Sequence, residues 1–398
     1  MNIDEGFLAR MREATRILQD EGPMAATAAI QRALHGTAPA DTTVAPQDAE
    51  LRDINPLHTP NTEPATASQG NAHARLRRLS RTWMSAMAAQ GAEDVEDVEV
   101  REAPDQAGKG RFVSGSCTNH AGTRAYKLYI PGSYTGQPLP LVVMLHGCTQ
   151  NPDDFAAGTQ MNAVAESEQC FVLYPAQSKS ANGSNCWNWF NAADQRRDQG
   201  EPALIADMTR AVMREYAIDA SRVYVAGLSA GGAMAAVLGA TYPDLYAAIG
   251  IHSGLPYAVA HDVPSAFAVM KNRKLKSTSR NTAKPFGHTM PVIVFHGDRD
   301  ATVDSSNGDM AFAQCVPQSA GPGAGGKVET SGTANGRTYT RTVVHDAQGK
   351  AIAEKWLVHG AGHAWSGGSS KGSYTDPQGP NAAREMMRFF YSHQRNAT

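Results

Sequence analysis

A serine set between two glycines at the end of an apolar run is the first residue whose setting points to chemistry. The chain reads Val223-Tyr224-Val225-Ala226-Gly227-Leu228-Ser229-Ala230-Gly231-Gly232-Ala233-Met234-Ala235-Ala236. Apolar, β-branched residues lead into Gly-x-Ser-x-Gly, and small helix-forming residues follow. That pattern is strand, sharp turn, helix, with the serine hydroxyl pushed out at the carboxyl end of the strand. Glycine is needed at 227 and 231 because a Cβ at either place would clash where strand and helix nearly touch. The helix start behind Ser229 points N–H groups at negative charge developing there. A bare Gly-x-Ser-x-Gly box also occurs in ordinary turns. The strand before it and the helix after it make this one a nucleophile elbow.

A serine hydroxyl is a poor nucleophile at neutral pH. It needs a base to take its proton, and the base needs an acid to fix its tautomer. Behind an elbow these partners follow in the order serine, acid, histidine. The acid is expected just past the strand Val292–Phe295, where the chain reads His296-Gly297-Asp298-Arg299-Asp300-Ala301-Thr302-Val303-Asp304. Spacing alone does not choose among the three aspartates. Asp300 falls near the outer end of the loop, Asp298 is placed to tie the turn, and Asp304 to cap a helix starting at Ser305. The base is expected after the last strand, in His359-Gly360-Ala361-Gly362-His363-Ala364-Trp365. His359 ends the strand directly. His363 lies in a Gly-rich loop able to fold back over the sheet and is the preferred candidate.

An oxyanion hole needs two N–H donors. One is the amide of Ala230, the residue after the nucleophile. The other should come from the loop after the early buried strand, His146-Gly147-Cys148-Thr149-Gln150, with the Cys148 amide as donor and His146 as a structural residue. A second loop, Asn185-Cys186-Trp187-Asn188-Trp189-Phe190, is unusually aromatic. Tryptophans in a polar loop often line a cleft. Of Trp187 and Trp189, one ring is expected to be buried and the other, with Trp187 the better candidate, to face substrate. The alternative is that both rings pack under their own loop. A Cys148–Cys186 bond would pin this loop beside the oxyanion hole, but the missing secretory signal argues against it.

The rest of the composition removes other classes. A net charge of -2 makes no electrostatic case for nucleic acid or a membrane surface. Five widely spaced cysteines are an odd count, so no disulfide framework is expected, and no CxxC pair suggests zinc. No metal and no cofactor are needed for the chemistry above. The N-terminus has no basic-then-apolar run and no segment reaches membrane-spanning length, so a cytoplasmic protein is the expectation.

These residues must be carried by an α/β fold: a mostly parallel sheet with helices on both faces, since strand and helix patterns alternate from about residue 111 onward. The catalytic domain is expected over 106–398. Before it come a helical hairpin at 1–36, a flexible Pro- and Thr-rich linker at 37–72, and a helix with an acidic connector at 73–105. Residues 255–290 read as irregular, with a basic patch at 271–276 and a possible role as cap or lid.

At these residues the chain resembles the esterase family that contains the poly(3-hydroxybutyrate) depolymerases. The resemblance rests on His146-Gly147-Cys148-Thr149-Gln150, Cys186-Trp187-Asn188-Trp189-Phe190, Arg222-Val223-Tyr224-Val225 leading into Gly227-Leu228-Ser229-Ala230-Gly231-Gly232, His296-Gly297 with Asp300 and Val303, and Gly362-His363-Ala364-Trp365. It covers about residues 110–393. It implies an α/β-hydrolase fold, a Ser229, Asp300, His363 triad, and Cys148 at the oxyanion hole. It also implies a polyester or oligoester substrate, in an intracellular form acting on storage granules or soluble oligomers. A feruloyl or acetylxylan esterase shares this fold and triad and is the nearest alternative. A non-catalytic granule-binding protein on the same scaffold is a further one. Residues 1–90 lie outside the resemblance and are assigned to docking on a granule or another subunit.

Overall fold

Runs of consecutive apolar residues form the centre of the molecule, because a strand covered on both faces cannot alternate apolar with polar. β3 (Leu139–Leu145), β4 (Phe171–Pro175), β6 (Ala248–His252) and β7 (Val292–Gly297) are buried throughout, as is the second half of β5 (Ile218–Leu228). The computed structural model describes residues 110–271, 286–316 and 326–395. The expected hairpin, linker, third helix and connector, and most of the basic patch at 271–276, lie outside the described residues.

The sheet has ten strands in the order β1-β2-β4-β3-β5-β6-β7-β10-β9-β8. Its core, β4-β3-β5-β6-β7-β10, is parallel. The margins are antiparallel: β1 (Arg111–Asn119) and β2 (Gly122–Ile130) at one side, β9 (Arg337–His345) and β8 (Lys327–Ala334) beside β10 (Ala351–Val358) at the other.

Successive side chains point to opposite faces, so each central strand feeds two cores. Leu141, Val143, Val223, Val225, Ile249, Val292 and Val294 enter one. Val142, Met144, Tyr224, Ala226, Ala248, Ile293 and Phe295 enter the other. The first core is closed by α3 (Gly200–Glu215), α4 (Ala230–Thr241), α5 (Val263–Met270) and α6 (Ser306–Cys315). The second is closed by α1 (Pro152–Thr159), α2 (Met161–Glu168) and the C-terminal α7 (Ala382–Tyr391). Each buried Leu, Ile, Val or Phe contributes roughly 1.5–3 kcal/mol by leaving water. The expected fold class is therefore what forms.

Two elements depart from expectation. α1 has no apolar stripe to announce it. Its start is fixed instead by Asn151, whose side chain accepts the Asp154 N–H at 2.9 Å, and by proline in its first turn. α5 falls inside the stretch read as irregular, behind a capping box made by Asp262 and Ser265.

Candidate active site

β5 and α4 meet almost at a point. A Cβ on Gly231 would run into the Leu145 carbonyl, and one on Gly227 into the backbone of Gly231. That contact forces the turn at Ser229 to φ 57°, ψ -119°, a conformation a non-glycine residue holds only when its surroundings impose it. The Ser229 N–H donates to the His252 carbonyl at 2.9 Å, which ties the elbow to β6. Ser229 is buried and lines a pocket of about 250 Å³ together with Cys148 and His363.

The loops after β7 and β10 are joined to each other by their backbones. The Asp298 N–H donates to the Val358 carbonyl at 3.1 Å and the Arg299 N–H to the Ala361 carbonyl at 3.0 Å. A Cβ on Gly297 would strike the Ala361 carbonyl, so the loops touch because that residue is glycine. This close packing brings His363 Nδ1 to 2.7 Å from Asp300 Oδ2. The carboxylate side chain is fully buried and accepts, so Nδ1 carries the proton and Nε2 keeps its lone pair. Asp300 Oδ1 accepts the N–H groups of Thr302 at 2.9 Å and Val303 at 2.8 Å. Burial alone would raise its pKa. The hydrogen bonds and positive potential of His296 and His363 outweigh that and hold it well below the usual carboxylate range.

The other aspartates and histidines have separate work. Asp298 pairs with His359 Nδ1 at 2.9 Å and accepts the Gly360 N–H at 2.7 Å. Asp304 accepts the N–H of Ser306, the first residue of α6, at 3.0 Å. His146 is buried, with Nδ1 on the Gly147 carbonyl at 2.8 Å and Nε2 accepting the Gln177 N–H at 3.1 Å. Burial pushes its pKa down to about 4. His252 is buried against Phe295 and Trp365, and its Nε2 accepts the Ser366 N–H at 2.9 Å. Its pKa is likewise lowered by burial, to about 3.

The oxyanion loop is clamped from several sides. Gln150, buried, accepts the Gly147 N–H at 2.9 Å through Oε1 and donates through Nε2 to Asp154 at 2.9 Å and the Ser373 carbonyl at 3.1 Å. The Thr149 N–H donates to the Ser184 carbonyl at 2.6 Å. Among the described residues the Cys148 N–H meets no acceptor. Ala230, as the first residue of α4, has no intrahelical acceptor for its own.

One expectation about the aromatic loop needs correction. Trp187 and Trp189 are both buried, at 1% and 4% exposure, and neither lines the pocket. The Trp187 N–H reaches back to the His146 carbonyl at 3.1 Å, and Trp189 packs edge-on against Phe190. A buried indole needs an acceptor, and for Trp187 it is the 146–150 loop, so this ring braces that loop from behind while Trp189 packs within its own loop. The Cys148–Cys186 bond, which the sequence raised and left open, is formed. The aromatic loop is also anchored by Glu201, buried at the start of α3, whose carboxylate accepts the Asn188 N–H at 2.7 Å. Burial first, and then Asp194, raise the pKa of Glu201.

The pocket wall also includes residues to which no motif assigned a role. Thr149 (φ 67°) and Tyr374 (φ 52°) are both left-handed, and their hydroxyl oxygens lie 3.1 Å apart. Tyr374 comes from the loop between two short strands, β11 (Trp365–Ser366) and β12 (Thr375–Asp376). Arg299 lines the opening beside Asp300. Nothing in their sequence neighbourhood singles them out; only the loop packing does.

The family model described as Esterase PHB depolymerase matches residues 124–333, just over half of the chain. The chain belongs to that family. The matched stretch contains Cys148, Ser229 and Asp300, and His363 lies beyond it. The chain is 33% identical over 260 residues to a poly(3-hydroxyalkanoate) depolymerase C of Paucimonas lemoignei, covering 63% of this chain and 60% of that protein. It is 33% identical over 243 residues to a poly(3-hydroxybutyrate) depolymerase of Ralstonia pickettii, covering 58% and 48%. The matches thus span about half to three fifths of those relatives' length. A feruloyl esterase B of Thermothelomyces thermophilus is 28% identical over 200 residues, covering 47% and 67%. Among solved structures, an acetyl xylan esterase from Aspergillus awamori aligns with a TM-score of 0.52 at 19% identity, covering 70% of this chain and 99% of that one. That likeness is one of fold, the α/β-hydrolase fold. No helix among the described residues is long and apolar enough to cross a membrane.

Proposed function

We propose that this esterase hydrolyses the ester bonds of poly(3-hydroxybutyrate) or its oligomers through an acyl-enzyme on Ser229. The observation that carries the mechanism is the 2.7 Å pair of His363 and the buried Asp300, whose histidine lines one pocket with a strained, buried serine. The relatives named as polyester depolymerases support the substrate.

In the first half-reaction Ser229 Oγ bonds to the ester carbonyl carbon while its proton passes to His363 Nε2. Asp300 holds the imidazole in the tautomer that leaves Nε2 free and stabilises the imidazolium. The carbonyl oxygen takes up the negative charge facing the amides of Cys148 and Ala230. The bond to the leaving alkoxide breaks and His363 returns its proton to it. Water then repeats the sequence on the acyl-enzyme and releases the carboxylic acid. No step calls for a metal or an organic cofactor.

The test is release of 3-hydroxybutyrate from amorphous poly(3-hydroxybutyrate) granules and from soluble oligomers. Methyl ferulate and p-nitrophenyl butyrate are run alongside, with Ser229→Ala as control. Serine-dependent release from either polyester form supports the reading. Turnover of methyl ferulate alone would move the substrate to the feruloyl class. Granule binding without any turnover would leave a binding protein. Because an intracellular granule is a reducing setting for the Cys148–Cys186 bond, the assay is run with and without dithiothreitol.

A further inference from the structure

We propose that Arg299 is a carboxylate-recognition residue at the mouth of the catalytic pocket, selecting oligoesters whose terminal unit carries a free carboxylate. This rests on the polyester reading above and adds which end of the chain is bound.

Arg299 lines the same pocket as Ser229 and His363, and no aspartate or glutamate lines it. Its backbone is fixed by the N–H bond to the Ala361 carbonyl, while its side chain is exposed. Among the described residues that side chain makes no hydrogen bond and no ion pair. The neighbouring carboxylate, Asp298, is held by His359 Nδ1 and the Gly360 N–H. A second cation stands on the same side, since Lys271 Nζ donates to the carbonyl of Ala301, another residue of the wall. Asp300 lies beneath, but its charge is turned inward to His363 and the loop amides. Arg299 also attracts the Asp298 carboxylate through space, but without a hydrogen bond or ion-pair contact among the described residues, so the mouth offers a guanidinium with its N–H groups free in a wall otherwise made of neutral groups and the base.

An oligomer of a 3-hydroxy acid ends in the group that fits this. Its last unit is the leaving alcohol of the terminal ester, and it carries a carboxylate that is ionised at neutral pH. A guanidinium presents two parallel N–H groups to a carboxylate, which fixes orientation as well as adding affinity. With that end on Arg299, the terminal ester is the one offered to Ser229. Hydrolysis adds water across it, frees one hydroxy acid, and leaves a chain one unit shorter with a new carboxylate end. A neutral aryl or acetyl ester has nothing to place there.

The experiment compares kcat/KM for the 3-hydroxybutyrate dimer as free acid and as methyl ester, in the wild type, Arg299→Gln and Arg299→Lys. A parallel arm measures inhibition of p-nitrophenyl butyrate hydrolysis by 3-hydroxybutyrate and by its methyl ester. The expected result is an acid-over-ester preference of at least tenfold, carried in KM and weakened by salt. It should fall to near unity in Arg299→Gln and recover in part in Arg299→Lys. A wild-type ratio near one, or an unchanged ratio in Arg299→Gln, overturns the proposal. If neither dimer is turned over while p-nitrophenyl butyrate is, the polyester reading falls and the inhibition arm decides for Arg299 separately. Stronger inhibition by the acid, lost in Arg299→Gln, supports carboxylate recognition. Equal inhibition by acid and ester rejects it.

Discussion

Two aspartate–histidine pairs stand between the same two loops. Asp298 with His359 and Asp300 with His363 use the same residue types, the same Nδ1 contact and distances of 2.9 and 2.7 Å. The outer pair is about a third exposed on both partners, at 33% and 37% of the side chains. The inner pair is 0% and 11% exposed. The inner carboxylate also accepts two loop amides and faces a second histidine, and its partner opens on the pocket that holds Ser229. The outer pair fastens the loop ends, with His359 Nε2 occupied by Thr340 at 2.9 Å. Identical chemistry is thus set to different work by burial and by what lies on the free side of the imidazole.

Turnover gives the sharpest break in this comparison. His363→Ala should lower kcat/KM on p-nitrophenyl butyrate by on the order of 10⁶-fold, the loss typical of a triad base. His359→Ala should change it less than about threefold. Comparable losses in both variants would show that the two pairs share the work.

The opposite wall of the pocket sets the next expectation. The Asp300–His363 pair is held by hydrogen bonds, whereas the 146–150 loop proposed to supply the oxyanion hole is held in part by a covalent bond across a separation of 38 residues. Closing a loop of that length is worth about 4 kcal/mol in the chain-entropy picture. Cys186→Ser should therefore lower unfolding free energy in urea by up to that amount. It should also reduce the rate by loosening the Cys148 amide, while both aspartate–histidine pairs persist. Unchanged stability under reducing and oxidising conditions would mean that the tryptophan and glutamine contacts hold the loop alone.

Stability against pH separates the two aspartates more gently. Both have pKa values below the ordinary 3.8. For each, burial works upward and histidine hydrogen bonds and charge outweigh it, joined at Asp298 by the Gly360 amide. A depressed carboxylate contributes stability that is complete above its unfolded pKa and lost as pH falls through its folded one. Asp300→Asn should cost roughly 2–4 kcal/mol at pH 7, since the amide cannot accept from every donor around Oδ1 and Oδ2. The gap to the wild type should close as pH drops below about 4. Asp298→Asn, solvent-screened, should cost no more than about 1 kcal/mol. Thermal melts between pH 3 and 7 read both, and equal costs would erase the distinction.

How much of this was legible in advance follows the range of the interactions. Gly227, Ser229 and Gly231 announce the elbow because the constraint is local: a strand and a helix one residue apart leave no room for Cβ. Apolar runs such as Val292–Phe295 announce central strands for the same reason. Asp300 and His363 were narrowed but not selected by spacing, because Asp298 and His359 stand just as close to their strands. The aromatic loop was legible as unusual and misread as a cleft wall. A tryptophan in a polar loop satisfies its ring and its N–H either against a ligand or against the protein. Only the position of the His146 carbonyl decides for Trp187.

What the sequence determined by itself is a serine held at a sharp strand–helix turn on a mostly parallel α/β sheet, since turn sterics and strand periodicity act between neighbours in the chain. What the tertiary structure decided is which carboxylate meets which imidazole, that Cys148 and Cys186 are joined, and that Thr149, Tyr374 and Arg299 form the wall. Those contacts link residues from 38 to 225 positions apart. They depend on how closely two loops approach after the sheet has formed, a distance that no local pattern encodes.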